Sequence, residues 1–214
     1  HTTCKATIPK PIPLKINMSM TGKTWMGYAR NDGRKGIRNL VLVAYLVECA
    51  HHVSTEIAAP YKDDGVQVIG FGGCYPNKHA DRVMKRLCTH PNVGAVLLVS
   101  LGCESFNKRS LAGTIQESGR PVKTLVIQQT GGTRKTVAAG RQWIERTKSL
   151  LENSPTVKME LNDLMIGAIC GGSDATSGIS GNPAVGLVFD RLAKEGAVAV
   201  FEETGEMIGL EDHL

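Results

Sequence analysis

Val93-Gly94-Ala95-Val96-Leu97-Leu98-Val99-Ser100-Leu101 is the stretch on which the fold turns. It carries no charge and a single hydroxyl, so it cannot present one face to the core and the other to water as a half-exposed strand does. It reads as a strand buried on both faces, which requires a parallel sheet covered by helices on both sides. Shorter runs of the same kind lie upstream, at residues 40–47 and 66–71, and downstream, at 123–128, 164–169 and 197–201. Helix-length amphipathic segments separate them: 50–59, stopped by Pro60; 78–89, ending before His90-Pro91; 133–152; and one that Asn182 caps and Pro183 opens. Alternation of this kind predicts an α/β fold built from βαβ units.

Composition narrows the functional classes. Apolar residues at 42% and charged residues at 21% are globular values, so a core can form. The net charge of +5 is spread without a block of like charges, which argues against a nucleic-acid-binding arm. No apolar run reaches membrane-spanning length and no signal-like segment is evident, so a cytoplasmic protein is expected. Residues 1–24, with Pro9, Pro11 and Pro13, read as a linker or an added arm.

The six cysteines are not arranged like a secreted disulfide framework. Cys49, Cys74, Cys103 and Cys170 each stand just past a predicted strand, and glycines flank three of them: Gly72-Gly73-Cys74, Gly102-Cys103 and Cys170-Gly171-Gly172. The carboxyl ends of parallel strands share one edge, where α/β proteins bind ligands. Glycine lets the backbone turn and lets a ligand approach there. Four thiols on such an edge suit iron, an iron–sulfur cluster or zinc; any one alone reads as a small buried hydrophobe, as Cys88 and Cys4 do.

Polar groups follow the same strands. Glu104, His79, Ser173 and Asp174 are candidates for proton transfer to and from a substrate, with turn or helix capping as the alternative for Ser173 and Asp174. His51, His52 and His90 have no supporting neighbours in the sequence. Arg30, Arg34, Lys35 and Arg38 surround Asn31-Asp32-Gly33. They fit either a clamp for an anionic group or a solvated hairpin. Neither a phosphate loop nor a dinucleotide fingerprint is present.

Taken in order, several segments resemble the altronate/galactarate dehydratase family, to which the sulfolactate sulfo-lyase large subunit is also similar. They are Gly27-Tyr28-Ala29-Arg30-Asn31-Asp32-Gly33-Arg34-Lys35-Gly36-Ile37-Arg38-Asn39, His90-Pro91-Asn92-Val93-Gly94-Ala95-Val96, Leu101-Gly102-Cys103-Glu104, Cys170-Gly171-Gly172-Ser173-Asp174, Ser177-Gly178-Ile179 and Asn182-Pro183. The resemblance implies a Rossmann-like, mostly parallel sheet that is incomplete at its C-terminus. It also implies a dimerisation-type α/β domain over residues 25–160 and the start of a catalytic domain over 161–214, with a small β-rich domain or subunit as neighbour and a homodimer as the assembly.

The implied activity is removal of water from a sugar acid, or of sulfite in the sulfo-lyase branch. The implied cofactor is Fe2+, with Mn2+ or another divalent metal in its place, or an iron–sulfur cluster, as alternatives. Cys49, Cys74, Cys103, Cys170, Glu104, Ser173, Asp174 and Glu206 fall at positions of the family pattern. His79 is a further catalytic candidate, and Arg30, Arg34, Arg38, Asn182 and Glu206 are expected to hold a small anionic hydroxy acid. Tyr75-Pro76 departs from the dehydratases' loop, which leaves substrate identity open. A non-catalytic metal or redox module and a purely structural dimerisation domain are the competing classes.

Overall fold

The computed structural model describes residues 22–169, 171, 172 and 174–202. The chain divides into two units, Thr24–Met159 and a smaller one that contains the described residues from Glu160 onward.

The larger unit is built on four parallel strands, β3 (Leu40–Tyr45), β4 (Val66–Gly70), β5 (Val93–Ser100) and β6 (Val122–Val126), in the order β4-β3-β5-β6. The sheet grows one way from β3 to β4, then crosses back to place β5 on the other side of β3. This is the doubly wound, Rossmann-like arrangement, and its switch point lies between β3 and β5. Every residue of β5 is buried. Its odd-numbered residues Ala95, Leu97 and Val99 meet α1 (His51–Ala58) and α5 (Thr133–Leu151) through Val53, Ile57 and Ile144. Its even-numbered residues Val96 and Leu98 meet α2 (Lys78–Cys88) and α3 (Lys108–Glu117) through Met84, Cys88, Leu111 and Ile115. Helices therefore cover both faces, as the unbroken apolar run requires.

Three features go beyond the expected pattern. The helix α3 supplies only Leu111 and Ile115 as fully buried anchors, so its apolar signal in sequence is sparse. The strand β6 stops at Val126 and a short helix α4 (Ile127–Thr130) replaces the rest of the predicted strand. A separate antiparallel sheet, ordered β2-β1-β7, forms from β1 (Trp25–Ala29), β2 (Lys35–Gly36) and β7 (Thr156–Met159). Its β1–β2 hairpin is closed by the turn at Asn31-Asp32-Gly33, where Gly33 takes φ +80°.

In the smaller unit β8 (Met165–Ala168) and β9 (Val198–Phe201) pair in parallel, joined through α6 (Asn182–Lys194). The strand preceding Cys170 thus belongs to a different sheet from those preceding Cys49, Cys74 and Cys103, which corrects the expectation of four cysteines on one sheet edge. A sequence of apolar runs carries no record of which run pairs with which. Asn182 is the first residue of α6 and continues from the turn Ser177–Gly181, so it does not act as the cap. Among the described residues no helix is long and apolar enough to cross a membrane.

Candidate functional site at the carboxyl edge of the parallel sheet

At the end of β3 the chain enters a tight turn, Glu48–Ala50, and then α1; β4 runs into Phe71–Tyr75, and β5 into Leu101–Phe106. These three connections are tied together through their backbones. Leu46 N–H donates to Val99 O at 3.0 Å, Glu48 N–H to Gly72 O at 3.2 Å, and Ser105 N–H to Cys74 O at 2.9 Å. Cys49, Cys74 and Cys103 lie on these connections, all free and exposed. Gly102 sits at φ +130°, and a Cβ there would stand 2.5 Å from Gln128 Oε1, so the turn carrying Cys103 needs glycine on both counts.

Glu104 anchors that turn. Its side chain has no exposed surface, and its carboxylate accepts from the Ser100 hydroxyl and, at 2.8 Å, from Gly102 N–H, with Lys108 Nζ 3.6 Å away. Burial works to raise its pKa, but the Ser100 and Gly102 hydrogen bonds and the Lys108 charge together hold it below the ordinary glutamate value. A carboxylate depressed on folding adds stability above its unfolded pKa and loses that contribution as pH falls through the folded one. Glu104→Gln is therefore expected to lower stability at pH 7 by about 1–3 kcal/mol. In urea unfolding the gap to wild type should close as the pH drops below 4.5.

His51 gains in three dimensions the neighbours it lacks in sequence. Its ring stacks on Tyr45 with centroids 4.7 Å apart and planes at 24°, and its Nδ1 lies 3.0 Å from Glu48 Oε1. The Glu-x-x-His spacing was the one available sequence signal; the stacking partner lies across the strand-to-helix turn and leaves none. His79, exposed in the first turn of α2, instead accepts from Arg82 Nη2 at 3.2 Å. Cys88 packs in the core, where burial pushes its thiol up to about 12, an inert residue as expected.

The arginines stand elsewhere. Arg30 donates through Nε to Pro91 O at 2.6 Å, through Nη1 to Asn39 Oδ1 and through Nη2 to Arg38 O, both at 3.0 Å. Arg34 forks onto Asp32 and reaches Thr89 O at 2.6 Å. Arg38 is exposed beside them. All three lie at the amino ends of β3 and β5, while the cysteines lie at the carboxyl ends, roughly 20 Å away along a strand of this length. The hairpin alternative describes this loop, and Arg30 and Arg34 are occupied in holding it to the chain before β5.

In the smaller unit Asp174 accepts from Thr176 N–H at 2.7 Å and Ser177 N–H at 3.0 Å and from the Thr176 hydroxyl, the bonds of a cap. The Thr176 hydroxyl and these amides hold its pKa below the usual carboxylate range. Asn182 is exposed. Cys170, Ser173 and Glu206 lie outside the described residues. Among the described residues no three His, Cys, Asp or Glu side chains are grouped to hold a metal ion.

The fold defines a class: a doubly wound α/β protein whose strand order reverses between β3 and β5, the place where such folds bind their ligands. Residues 27–152 match the family described as D-galactarate dehydratase/Altronate hydrolase, second domain, and residues 161–214 match D-galactarate/Altronate dehydratase, C-terminal. The chain is 32% identical over 204 residues to (2R)-sulfolactate sulfo-lyase subunit beta of Chromohalobacter salexigens, covering 91% of this chain and 50% of that protein. It is 25% identical over 206 residues to altronate dehydratase of Bacillus subtilis, covering 90% and 41%. With galactarate dehydratase (L-threo-forming) of Escherichia coli it shares 30% identity over 231 residues, covering 97% and 43%. The chain belongs to the galactarate dehydratase/altronate hydrolase family and spans about half the length, or less, of these curated relatives.

Proposed function

We propose that this chain is part of a lyase that removes water from a small hydroxy acid of the sugar-acid class, such as altronate or galactarate. What supports the reading is family membership across both matched segments, together with three exposed thiols on the connections at the carboxyl edge of the parallel sheet. Loss of water from a hydroxy acid needs a base for the proton beside the carboxylate and an acid for the departing hydroxyl. Removal of sulfite from sulfolactate is the second reading, favoured by the 32% identity to a sulfo-lyase subunit. A cytoplasmic homodimer, with or without a small β-rich partner, is the assembly proposed.

A divalent metal, ferrous iron first, is proposed as cofactor on the family resemblance, with Cys49, Cys74, Cys103 and Cys170 as candidate ligands. Among the described residues no three such ligands are grouped to complete a site for it. Elemental analysis after anaerobic purification is expected to find about one iron per chain in the complete natural polypeptide. Replacing Cys103 by serine should lower that content.

The activity is tested by incubating the complete polypeptide, with any subunit that co-purifies, with altronate, galactarate and sulfolactate in the presence of ferrous iron or Mn2+. A 2-keto acid without sulfite is the expected product. Sulfite release would establish the second reading, and no turnover of any of the three would overturn both.

A further inference from the structure

We infer that His90 is a pH-sensitive latch that fastens the β1–β2 hairpin to the loop leading into β5. The inference stands apart from the lyase reading and concerns the amino edge of the parallel sheet.

Backbone carbonyls along residues 89–93 accept from three arginines. Arg34 Nη2 donates to Thr89 O at 2.6 Å, Arg120 Nη2 to His90 O at 3.2 Å, Arg30 Nε to Pro91 O at 2.6 Å and Arg120 Nε to Val93 O at 3.0 Å. Asn92 completes the attachment, because its Oδ1 accepts from Ile37 N–H at 2.9 Å and from Arg38 N–H at 3.3 Å. Gly36 lies so near that a Cβ there would stand 2.1 Å from Pro91 O.

His90 sits in the middle of this fastening, and its side chain fixes Asn92. The Asn92 N–H donates to His90 Nδ1 at 3.2 Å. A backbone N–H can only donate, so Nδ1 is bare and the neutral ring carries its hydrogen on Nε2. Protonation puts a second donor on Nδ1, facing the Asn92 N–H, and the bond is lost. It also adds a cation among cations. Arg34 of the hairpin and Arg120 of the turn between α3 and β6 both act on the ring, and the last turn of α2 carries Lys85 and Arg86. The carboxylates nearby are engaged: Asp32 with Arg34 at 2.6 Å and with Arg120 at 3.9 Å, and Asp81 with Lys85 at 2.8 Å.

His90 is exposed, so solvent protons reach it. Partial desolvation of its ring, and then the Arg34 and Arg120 charges, lower its pKa from the ordinary histidine value. The latched form thus binds a proton less readily than a released form in which the ring is clear of these groups. The latch holds fully above the released-state pKa, near the ordinary 6.5, and loosens as pH falls through that value toward the latched one. Below both values the bias no longer changes. Opening exchanges the Arg30, Arg34 and Asn92 contacts for solvent while the layers on the two faces of β5 stay packed.

The test is hydrogen exchange read by mass spectrometry on the complete polypeptide, corrected for the intrinsic pH dependence of amide exchange. Peptides covering residues 27–39 are expected to open about threefold or more often at about pH 5.5 than at about pH 7.5. Peptides covering β5 should keep their protection. In His90→Gln, which takes up no proton, the increase should vanish. Slow exchange of the imidazole C2 hydrogen reads the His90 pKa without any variant, and that pKa is expected to lie below the value of the same residue in urea-unfolded protein. Unchanged protection of residues 27–39 in wild type, an increase that persists in His90→Gln, or a His90 pKa no lower folded than unfolded would each overturn the inference. Equal opening of β5 would overturn it too, because that is the mark of global unfolding.

Discussion

Replacing Leu97 by alanine, and separately Leu98, is expected to cost about 2–5 kcal/mol each, among the largest single-residue losses this fold can show. The two side chains are adjacent and point to opposite faces of β5, and both are fully buried. Leu97 packs in the layer formed with α1 and α5, and Leu98 in the layer formed with α2 and α3. A sheet with one wet face would make one of the pair nearly neutral. Comparable losses from both, read as shifts of the urea midpoint at constant slope, are the signature of a doubly covered strand. A loss below about 1 kcal/mol at either position would mean that its face is not closed by the helices described.

Arg30→Lys is expected to cost about 2–3 kcal/mol, although it keeps the charge. The guanidinium satisfies two backbone carbonyls and the Asn39 side chain at once, with the Tyr28 ring 5.6 Å from its centre. Burial, with the nearby Arg120 charge, pulls its pKa down to about 10, so a cation is retained there against a desolvation cost that the three acceptors offset. An ammonium has neither the fork nor the reach to meet the same set. The check is again chemical unfolding, run beside acid binding by the complete polypeptide. A variant with an unchanged midpoint but weakened binding would return Arg30 to the substrate.

These two expectations differ in how much of each was legible in advance. Both faces of β5 could be read from Val93 to Leu101 because burial on two sides is a local demand on composition. The strands around it were legible within two or three residues for the same reason. The helix α3 was not, because Leu111 and Ile115 are too few to form an apolar stripe, and the β1–β7 pairing was not, because its partners lie more than a hundred positions apart and carry no mutual signal.

The site divides along the same line. The sequence by itself determined that Cys49, Cys74 and Cys103 follow parallel strands, that glycines surround two of them, and that the ordered motifs belong to one family. Those are properties of short segments, and short segments carry them wherever they fold. Only the tertiary structure decided that β8 pairs outside the four-stranded sheet, that the Arg30–Arg38 loop stands at its amino edge, and that Glu104 is buried against Ser100 and Gly102 in the turn carrying Cys103. It alone placed Tyr45 under His51. Strand order and sheet edge are relations between distant residues, and the ring stacking depends on how the turn between β3 and α1 folds back, which no short run of residue types records.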